Sequence, residues 1–177
     1  MPPSLAKRSR MPGVRSMALA LLGLLALGAA AAAQPSGGPE SLGPLTLTDQ
    51  HGVQHRIDAA VGLVLFSRDM DGGAVMREML DAESLGEAPA SFLGRNRALC
   101  VADISRMPGL VARMIAKPRM RKRPYPLLLD EQGEATAAWP SQKGRTTLIR
   151  LEANRILEVL HFEDPAALRS AIEGGAK

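Results

Sequence analysis

Three apolar runs of strand length follow one another along the chain, and this series constrains the fold more than any other feature. They are VGLVLFS (61–67), ALCVADI (98–104) and YPLLLD (125–130). Continuous apolar runs of this length are typical of strands buried on both faces of a parallel sheet. Segments with helical spacing separate the runs, so we expect βαβ units with parallel central strands.

The two connecting segments carry apolar residues at helical spacing. The first predicts a helix over residues 74–85, capped by Asp69 or Asp71. The second predicts a helix that enters at Met107-Pro108 and ends near Pro118. Its apolar stripe consists of Leu110, Val111, Met114 and Ile115.

Hairpins are expected at both ends of this series. LTLTD and QHRID flank His51-Gly52, and strands over 145–151 and 155–162 flank a turn at 152–154. Asp164-Pro165 then predicts the cap and first turn of a last helix. The predicted fold is an α/β sandwich, a mixed central sheet flanked by helices with an extra N-terminal hairpin.

Residues 1–33 are typical of a secretory signal peptide. A basic stretch ends at Arg15, and an apolar run covers 17–33. Ala31 and Ala33 precede a cleavage point before Gln34. The alternative is that 17–33 is kept as a membrane anchor. We expect cleavage, a periplasmic protein without a transmembrane segment, a flexible lead-in over 34–44 and a domain over 45–177.

The net charge of +4 belongs to that segment. The chain has 22 basic and 18 acidic residues, and residues 1–33 hold four of the basic residues and none of the acidic ones. Cleavage would therefore leave 18 of each sign. A basic balance suggests an acidic partner, but here it indicates export.

The chain has one cysteine, Cys100, inside the apolar run ALCVADI. One cysteine excludes an internal disulfide, a CxxC redox pair and a multi-cysteine metal site. We expect Cys100 to be a small buried apolar residue.

Particular strings give the chain a resemblance to the thioredoxin-like superfamily over residues 45–172. YPLLLDEQGEATAAW resembles the peroxiredoxin segment in which a strand meets Asp, a Gly turn and a small-residue helix. GRTTLIRLEANRILEVLHF resembles the hairpin that follows, and VGLVLFSRDMDGGAVMREML stands where that family has a strand, active-site loop and helix. The signal, the Asp-Ile-x-x-x-Pro helix entry and the Gly-x-Ala-x-x-Ala-Trp segment also resemble the periplasmic YtfJ-like branch.

The resemblance implies a thiolate in the loop after the first buried strand, and this chain lacks it. The loop is SRDMDGG, with Ser67, Arg68, Asp69 and Asp71 where the family keeps its redox chemistry. Arg145 matches the arginine that supports the peroxidatic thiolate, and Arg145-Thr146 occupies the point of the family's cis-proline. A second register would put Pro126 at that point. We favour the first register because it accounts for the second hairpin.

Asp69 and Asp71 also have the spacing of the Asp-x-Asp loop of haloacid-dehalogenase-type phosphatases, which use Mg²⁺. Gly73 replaces that family's hydroxyl residue, and no downstream lysine with a paired acidic motif is evident. A calcium loop fails because Leu80 stands at its twelfth position. Helix capping, a ligand-binding loop and a metal-dependent phosphatase remain the alternatives for the two aspartates.

A basic patch without any acidic residue follows the second helix. Its residues are Arg113, Lys117, Arg119, Arg121, Lys122 and Arg123. Either it is a solvated helix end, or it binds a periplasmic protein or an anionic surface. Nucleic acid is not expected, since no aromatic residue alternates with the charges. We expect charge reversal of Arg119, Arg121 and Lys122 to weaken binding of a physiological partner.

Metal and cofactor sites are not expected. His51 and His55 lie four residues apart without a third ligand, and His161 is on a distant strand. Methionines in the predicted mature chain could suggest a copper-handling protein of the thioredoxin fold, but most of them follow helical spacing and predict core packing. They are Met70, Met76, Met79, Met107, Met114 and Met120. We therefore expect a non-catalytic binding module. The alternatives are an enzyme using Asp69 and Asp71, or a redox protein acting through Cys100 with a partner thiol.

Overall fold

The computed structural model describes residues 39–175. The predicted signal peptide (1–33) and residues 34–38 of the predicted lead-in lie outside the described residues. Within 39–175, no helix is long and apolar enough to cross a membrane.

A seven-stranded mixed sheet runs through these residues in the order β2-β1-β5-β4-β3-β6-β7. Its strands are β1 (Leu45–Asp49), β2 (Gln54–Ile57), β3 (Leu63–Ser67), β4 (Ala98–Asp103), β5 (Leu127–Asp130), β6 (Thr146–Glu152) and β7 (Arg155–Phe162). Strands β3, β4 and β5 are parallel, and all other neighbours pair antiparallel. The expected mixed sheet with parallel central strands and two hairpins is confirmed.

Helices connect and follow the strands. They are α1 (Met70–Met79), α2 (Ala82–Leu85), α3 (Pro89–Arg95), α4 (Gly109–Val111), a π-helical turn (Ala112–Ala116), α5 (Lys117–Met120) and α6 (Pro165–Gly174). Asp164 caps α6 as predicted, because its carboxylate accepts the amides of Ala166 and Ala167.

The helix predicted over 74–85 differs in extent from the observed helices. It begins earlier, at Met70, because Asp69 is the cap. It ends at Met79, and α2 is a separate short helix. The carboxylate of Asp81 accepts the amide of Glu83 at 3.1 Å and starts that second helix.

The two faces of the sheet bury separate apolar clusters. Leu63 and Leu65 of β3 pack with side chains of α1, α3 and α6, among them Met76, Phe92 and Leu168. Val64 and Phe66 pack on the opposite face, where the Trp139 ring meets the Phe66 ring edge-on at 5.1 Å between centroids. β3 is therefore buried on both sides, as its continuous apolar run predicts.

The small-residue helix implied for the Trp139 segment is not formed. Residues 134–139 make successive turns, with the Trp139 amide bonded to the Thr136 carbonyl. The Asp130 carboxylate accepts the amides of both Gly133 and Thr136, which holds the backbone in turns.

The end of the predicted flexible lead-in is held in the fold. The Leu42 side chain is buried, and its amide donates to the carbonyl of Asn154. The Ile156 amide donates to the carbonyl of Glu40. Residues 40–42 thus pair with the β6–β7 turn.

Candidate functional site

The loop between β3 and α1 lies at the carboxyl end of the central strand. Ser67 ends β3 and is buried, whereas Met70 and Asp71 at the start of α1 are exposed. Carboxyl ends of parallel strands commonly form binding sites, so this loop is the first place to examine for chemistry.

Asp69 uses both oxygens of its carboxylate within the protein. Oδ1 accepts the Gly72 amide at 2.8 Å, which caps α1. Oδ2 accepts the Gly144 amide at 2.8 Å, from the loop before β6. Asp69 thus ties the two loops together. This is the capping role expected for Asp69, to which the Gly144 bond adds a tie to the loop before β6.

Gly72 and Thr146 complete the same contact. A Cβ added to Gly72 would lie 2.4 Å from the Arg145 carbonyl oxygen, so only glycine lets the backbones approach this closely. The Thr146 hydroxyl is buried and donates to the Gly72 carbonyl at 2.6 Å. Polar groups of the loop are therefore satisfied by its neighbour before any ligand arrives.

This contact decides between the two registers considered for the sequence. Gly144 and Arg145 lie beside the loop, as the favoured register requires. Pro126 immediately precedes β5, which runs parallel to β3, so it lies at the opposite edge of the sheet. The register that places Pro126 beside the loop is wrong.

The Arg145 side chain forms an ion pair with a carboxylate on the chain after β7. Its guanidinium lies 3.1 Å from the Glu163 carboxylate, and both side chains are substantially exposed. His161 is nearby on β7 and shares a hydrogen bond of 3.0 Å with the Thr147 hydroxyl. Burial and then the Arg145 charge lower the pKa of His161.

A polar network that the sequence analysis missed closes the adjacent edge. The Arg68 guanidinium approaches the Asp103 carboxylate at 3.2 Å, donates to the Thr136 carbonyl and lies 5.2 Å from the Phe66 ring centroid. Asp103 also accepts the Ser105 hydroxyl at 2.6 Å. An aspartate directly ending each of two apolar strands was the available signal for this network.

Cys100 lies in the middle of β4, between Leu65 of β3 and Leu127 of β5. Its side chain is fully buried, which confirms the expectation of an apolar environment. Burial raises the pKa of the thiol to about 12, and the Arg123 charge opposes this shift. A thiol that is neither accessible nor ionised is a poor nucleophile.

The histidines are held by other contacts. His55 Nε2 lies 2.8 Å from the Asp49 carboxylate, which also accepts the amides of His51 and Val53. These bonds shape the first hairpin. Among residues 39–175, no group of three or more His, Cys, Asp or Glu side chains is arranged to hold a metal ion.

Three cations of the basic patch contact other groups of the protein, and three are exposed without an ion pair to a described residue. Lys117 pairs with Glu131 at 2.6 Å, Arg121 donates to the Gln50 carbonyl at 3.2 Å, and Arg123 lies 6.0 Å from the Tyr125 ring centroid. The remaining three are exposed and form no ion pair with another described residue: Arg113, Arg119 and Lys122.

Arg121 therefore has a structural contact that the predicted triple charge reversal would also remove. Its Gln50 neighbour is buried, and the Gln50 side chain bonds the Tyr125 carbonyl and the Leu127 amide at the start of β5. Arg113 is the better third position for testing the patch, because it is exposed without such a contact.

The predicted core packing of the methionines and of the second apolar stripe is only partly correct. Met76, Met79 and Met120 are buried. Met70 and Met114 are 77% and 67% exposed, and the stripe on α4 and the π-helical turn faces outward. The inward positions of that segment are occupied by smaller side chains, of which Ala116 packs against the core.

Comparisons with known proteins show the same fold elsewhere. No family model matches the chain, and no curated protein matches it in sequence. Among solved structures, peroxidoxin BcpB from Mycobacterium tuberculosis is 19% identical with a TM-score of 0.51, covering 79% of this chain and 97% of its own. The thioredoxin domain of a thiol-disulfide oxidoreductase from Bacteroides vulgatus is 12% identical with a TM-score of 0.50, covering 79% and 98%. At these identities the similarity establishes the fold alone.

Proposed function

We propose that this domain, which has the thioredoxin-like fold, is an exported binding or accessory module of the cell envelope that performs no thiol chemistry. One observation carries the proposal. In the loop after β3, where the resemblance implies a redox thiolate, the two carboxylate oxygens of Asp69 accept the amides of Gly72 and Gly144. The loop thus has a carboxylate that positions the backbone, and no thiol, where the resemblance implies a redox thiolate.

Cys100 supports the same conclusion from a different place in the fold. Exchange with a partner thiol requires an accessible thiolate, because attack occurs through the ionised sulfur. Cys100 is buried between two strands, and its pKa is raised to about 12. The alternative of a redox protein acting through Cys100 would require β4 to open.

The proposed export rests on residues 1–33, with their basic start, apolar run and small residues before Gln34. The domain contains a free cysteine and no CxxC, which suits a protein that neither needs nor forms an internal disulfide in an oxidising compartment. The mass of the chain recovered from a bacterial periplasm tests this: we expect it to begin at Gln34.

Turnover assays test the absence of thiol chemistry. The purified protein is compared with Cys100→Ala in insulin disulfide reduction and in hydroperoxide consumption, each with dithiothreitol. We expect both proteins to stay at the rate of dithiothreitol alone. Turnover that Cys100→Ala abolishes would replace this proposal with the redox alternative. Phosphatase activity that requires Mg²⁺ and is lost in Asp69→Asn would replace it with the metal-dependent one.

A further inference from the structure

The segment between β4 and β5 is built with its large apolar side chains facing outward. In residues 109–123, here called the basic–apolar segment, Leu110 and Met114 are 72% and 67% exposed. Val111 and Ile115 are 40% and 47% exposed. Toward the core the segment presents Ala116 and Met120. A helix of a soluble domain normally has the opposite arrangement, with large apolar residues inside.

Four adjacent exposed apolar side chains mark an interaction surface more strongly than one exposed residue does. A cleft of about 560 Å³ lies beside the segment. It is lined by Ile104, Met107 and Ala112 together with polar residues, and by none of the four exposed apolar side chains. The four side chains therefore lie outside the lining of this cleft.

The charge around this apolar surface restricts what can cover it. Residues 109–123 contain six cations and no acid. Arg113, Arg119 and Lys122 are exposed and form no ion pair within the described part of the chain. A second copy docked symmetrically through the same face would bring these cations together, which is unfavourable.

We propose that the basic–apolar segment docks the domain on an anionic lipid bilayer surface. The proposal rests on the proposed function, a binding module of the cell envelope, and specifies its partner. Basic amphipathic segments lie in the bilayer interface with their apolar side chains in the acyl boundary and their cations among anionic headgroups. A fluid interface accommodates projecting apolar side chains without a preformed cavity.

Lys and Arg suit this arrangement by their shape. Their long apolar stems follow the acyl boundary while the charged ends reach the headgroups. Leu110 and Met114 are four residues apart and Val111 and Ile115 are four apart, and Arg113 lies between Val111 and Met114 in sequence. One segment thus provides both the apolar and the ionic contacts.

Vesicle co-sedimentation tests the proposal. Vesicles of phosphatidylglycerol and phosphatidylcholine in equal parts are compared with vesicles of phosphatidylcholine alone. The protein is expressed from the full chain, its mass shows whether residues 1–33 are retained, and every comparison uses proteins of the same length. We expect binding to the anionic vesicles that weakens in about 0.5 M NaCl, where charge interactions are screened over a few ångströms.

Two sets of variants separate the apolar from the ionic contribution. The first is Leu110→Ser with Met114→Ser. The second is Arg113→Gln, Arg119→Gln and Lys122→Gln together. About fivefold weaker binding is expected for each cation removed, hence about a hundredfold for the triple variant. The apolar variant is expected to weaken binding at least about tenfold, from the apolar area lost.

Control variants use exposed residues elsewhere. Leu157 on the edge strand β7 is 54% exposed, and Lys143 is exposed in the loop before β6. Leu157→Ser and Lys143→Gln are expected to bind anionic vesicles as the parent does. All variants change exposed side chains, and circular dichroism checks that each is folded.

Three results would overturn the proposal. They are the absence of extra binding to the anionic vesicles, equal binding by the apolar variant and its parent, and a stable dimer in solution that Leu110→Ser with Met114→Ser dissociates. The last result would assign the surface to a second copy. None of these results bears on the turnover assays of the proposed function, and turnover through Cys100 would not by itself affect vesicle binding, so the two proposals fail separately.

Discussion

Gly72 shows how one residue holds the loop closed. A methyl group at this position would lie 2.4 Å from the Arg145 carbonyl, which belongs to rigid backbone. We expect Gly72→Ala to lower the free energy of unfolding by about 1–3 kcal/mol in urea denaturation, as overpacking does. In the adjacent control, Gly73→Ala, the nearest atom is a Ser67 oxygen at 3.6 Å. That variant should be no less stable than the parent, and an equal loss in both would contradict the proposed backbone contact.

Asp69 should be required for stability rather than for activity. In Asp69→Asn, one of the two amides would face the Asn nitrogen, a donor, in place of a carboxylate oxygen. We expect a loss of about 1–2 kcal/mol in the free energy of unfolding. Asp71→Asn, at an exposed position of the same turn, should change it by less than about 0.5 kcal/mol. Equal effects of the two substitutions would argue against the Gly72 and Gly144 contacts.

The buried thiol of Cys100 should make the fold sensitive to alkaline pH. Because burial raises the pKa of the thiol from 9.0 to about 12, the unfolded chain loses this proton first. Stability is then unaffected below about pH 8 and falls above pH 9, by about 1 kcal/mol at pH 10. Urea denaturation of the parent and of Cys100→Ala at pH 8 and pH 10 tests this. Cys100→Ala should lack this part of the decline. A parallel decline in both proteins would indicate a thiol that ionises in the folded state.

At the scale of elements, caps and apolar runs were predicted correctly where local chemistry decides. Asp69 and Asp164 cap α1 and α6 because an aspartate before a helical pattern satisfies free amides in any context. The three central strands follow from their continuous apolar runs. The turns at 134–139 could not be predicted, because Asp130 holds them through contacts that the pattern of small residues does not reveal.

The segment between β4 and β5 shows the limit of periodicity. Helical spacing identifies an apolar stripe, but it does not say whether that stripe or the alanine face turns inward. Here the stripe faces outward and Ala116 faces inward. The prediction that Met114 packs in the core is therefore wrong, while Met120 on the same segment is buried as predicted.

Paired substitutions on this segment test its orientation. Met114→Ser should leave the free energy of unfolding within about 0.5 kcal/mol of the parent, because the side chain is already in solvent. Met120→Ser should cost about 2–4 kcal/mol, since it removes buried apolar atoms and leaves a hydroxyl in their place. Thermal and urea unfolding of the two variants check this. The reverse order would mean that the segment packs through its stripe.

At the scale of the whole molecule, the order of helices and strands was predictable from the sequence. The contacts that join the β3–α1 loop to the loop before β6 were not. The absence of a thiol in SRDMDGG is plain in the sequence. That Gly144, 75 residues away, supplies the partner of Asp69 is a tertiary fact. The same holds for Arg68, whose partners Asp103 and Thr136 come from other strands and turns. Long-range polar contacts of this kind have no local signature.

The central claim is that this domain, which has a thioredoxin-like fold, holds Cys100 in its core and performs no thiol chemistry. The alkylation rate of Cys100 in the folded protein, followed by intact mass with iodoacetamide, tests it most directly. We predict no labelling under native conditions and rapid labelling after unfolding in guanidinium. Native labelling at the rate of an exposed thiol would contradict the account.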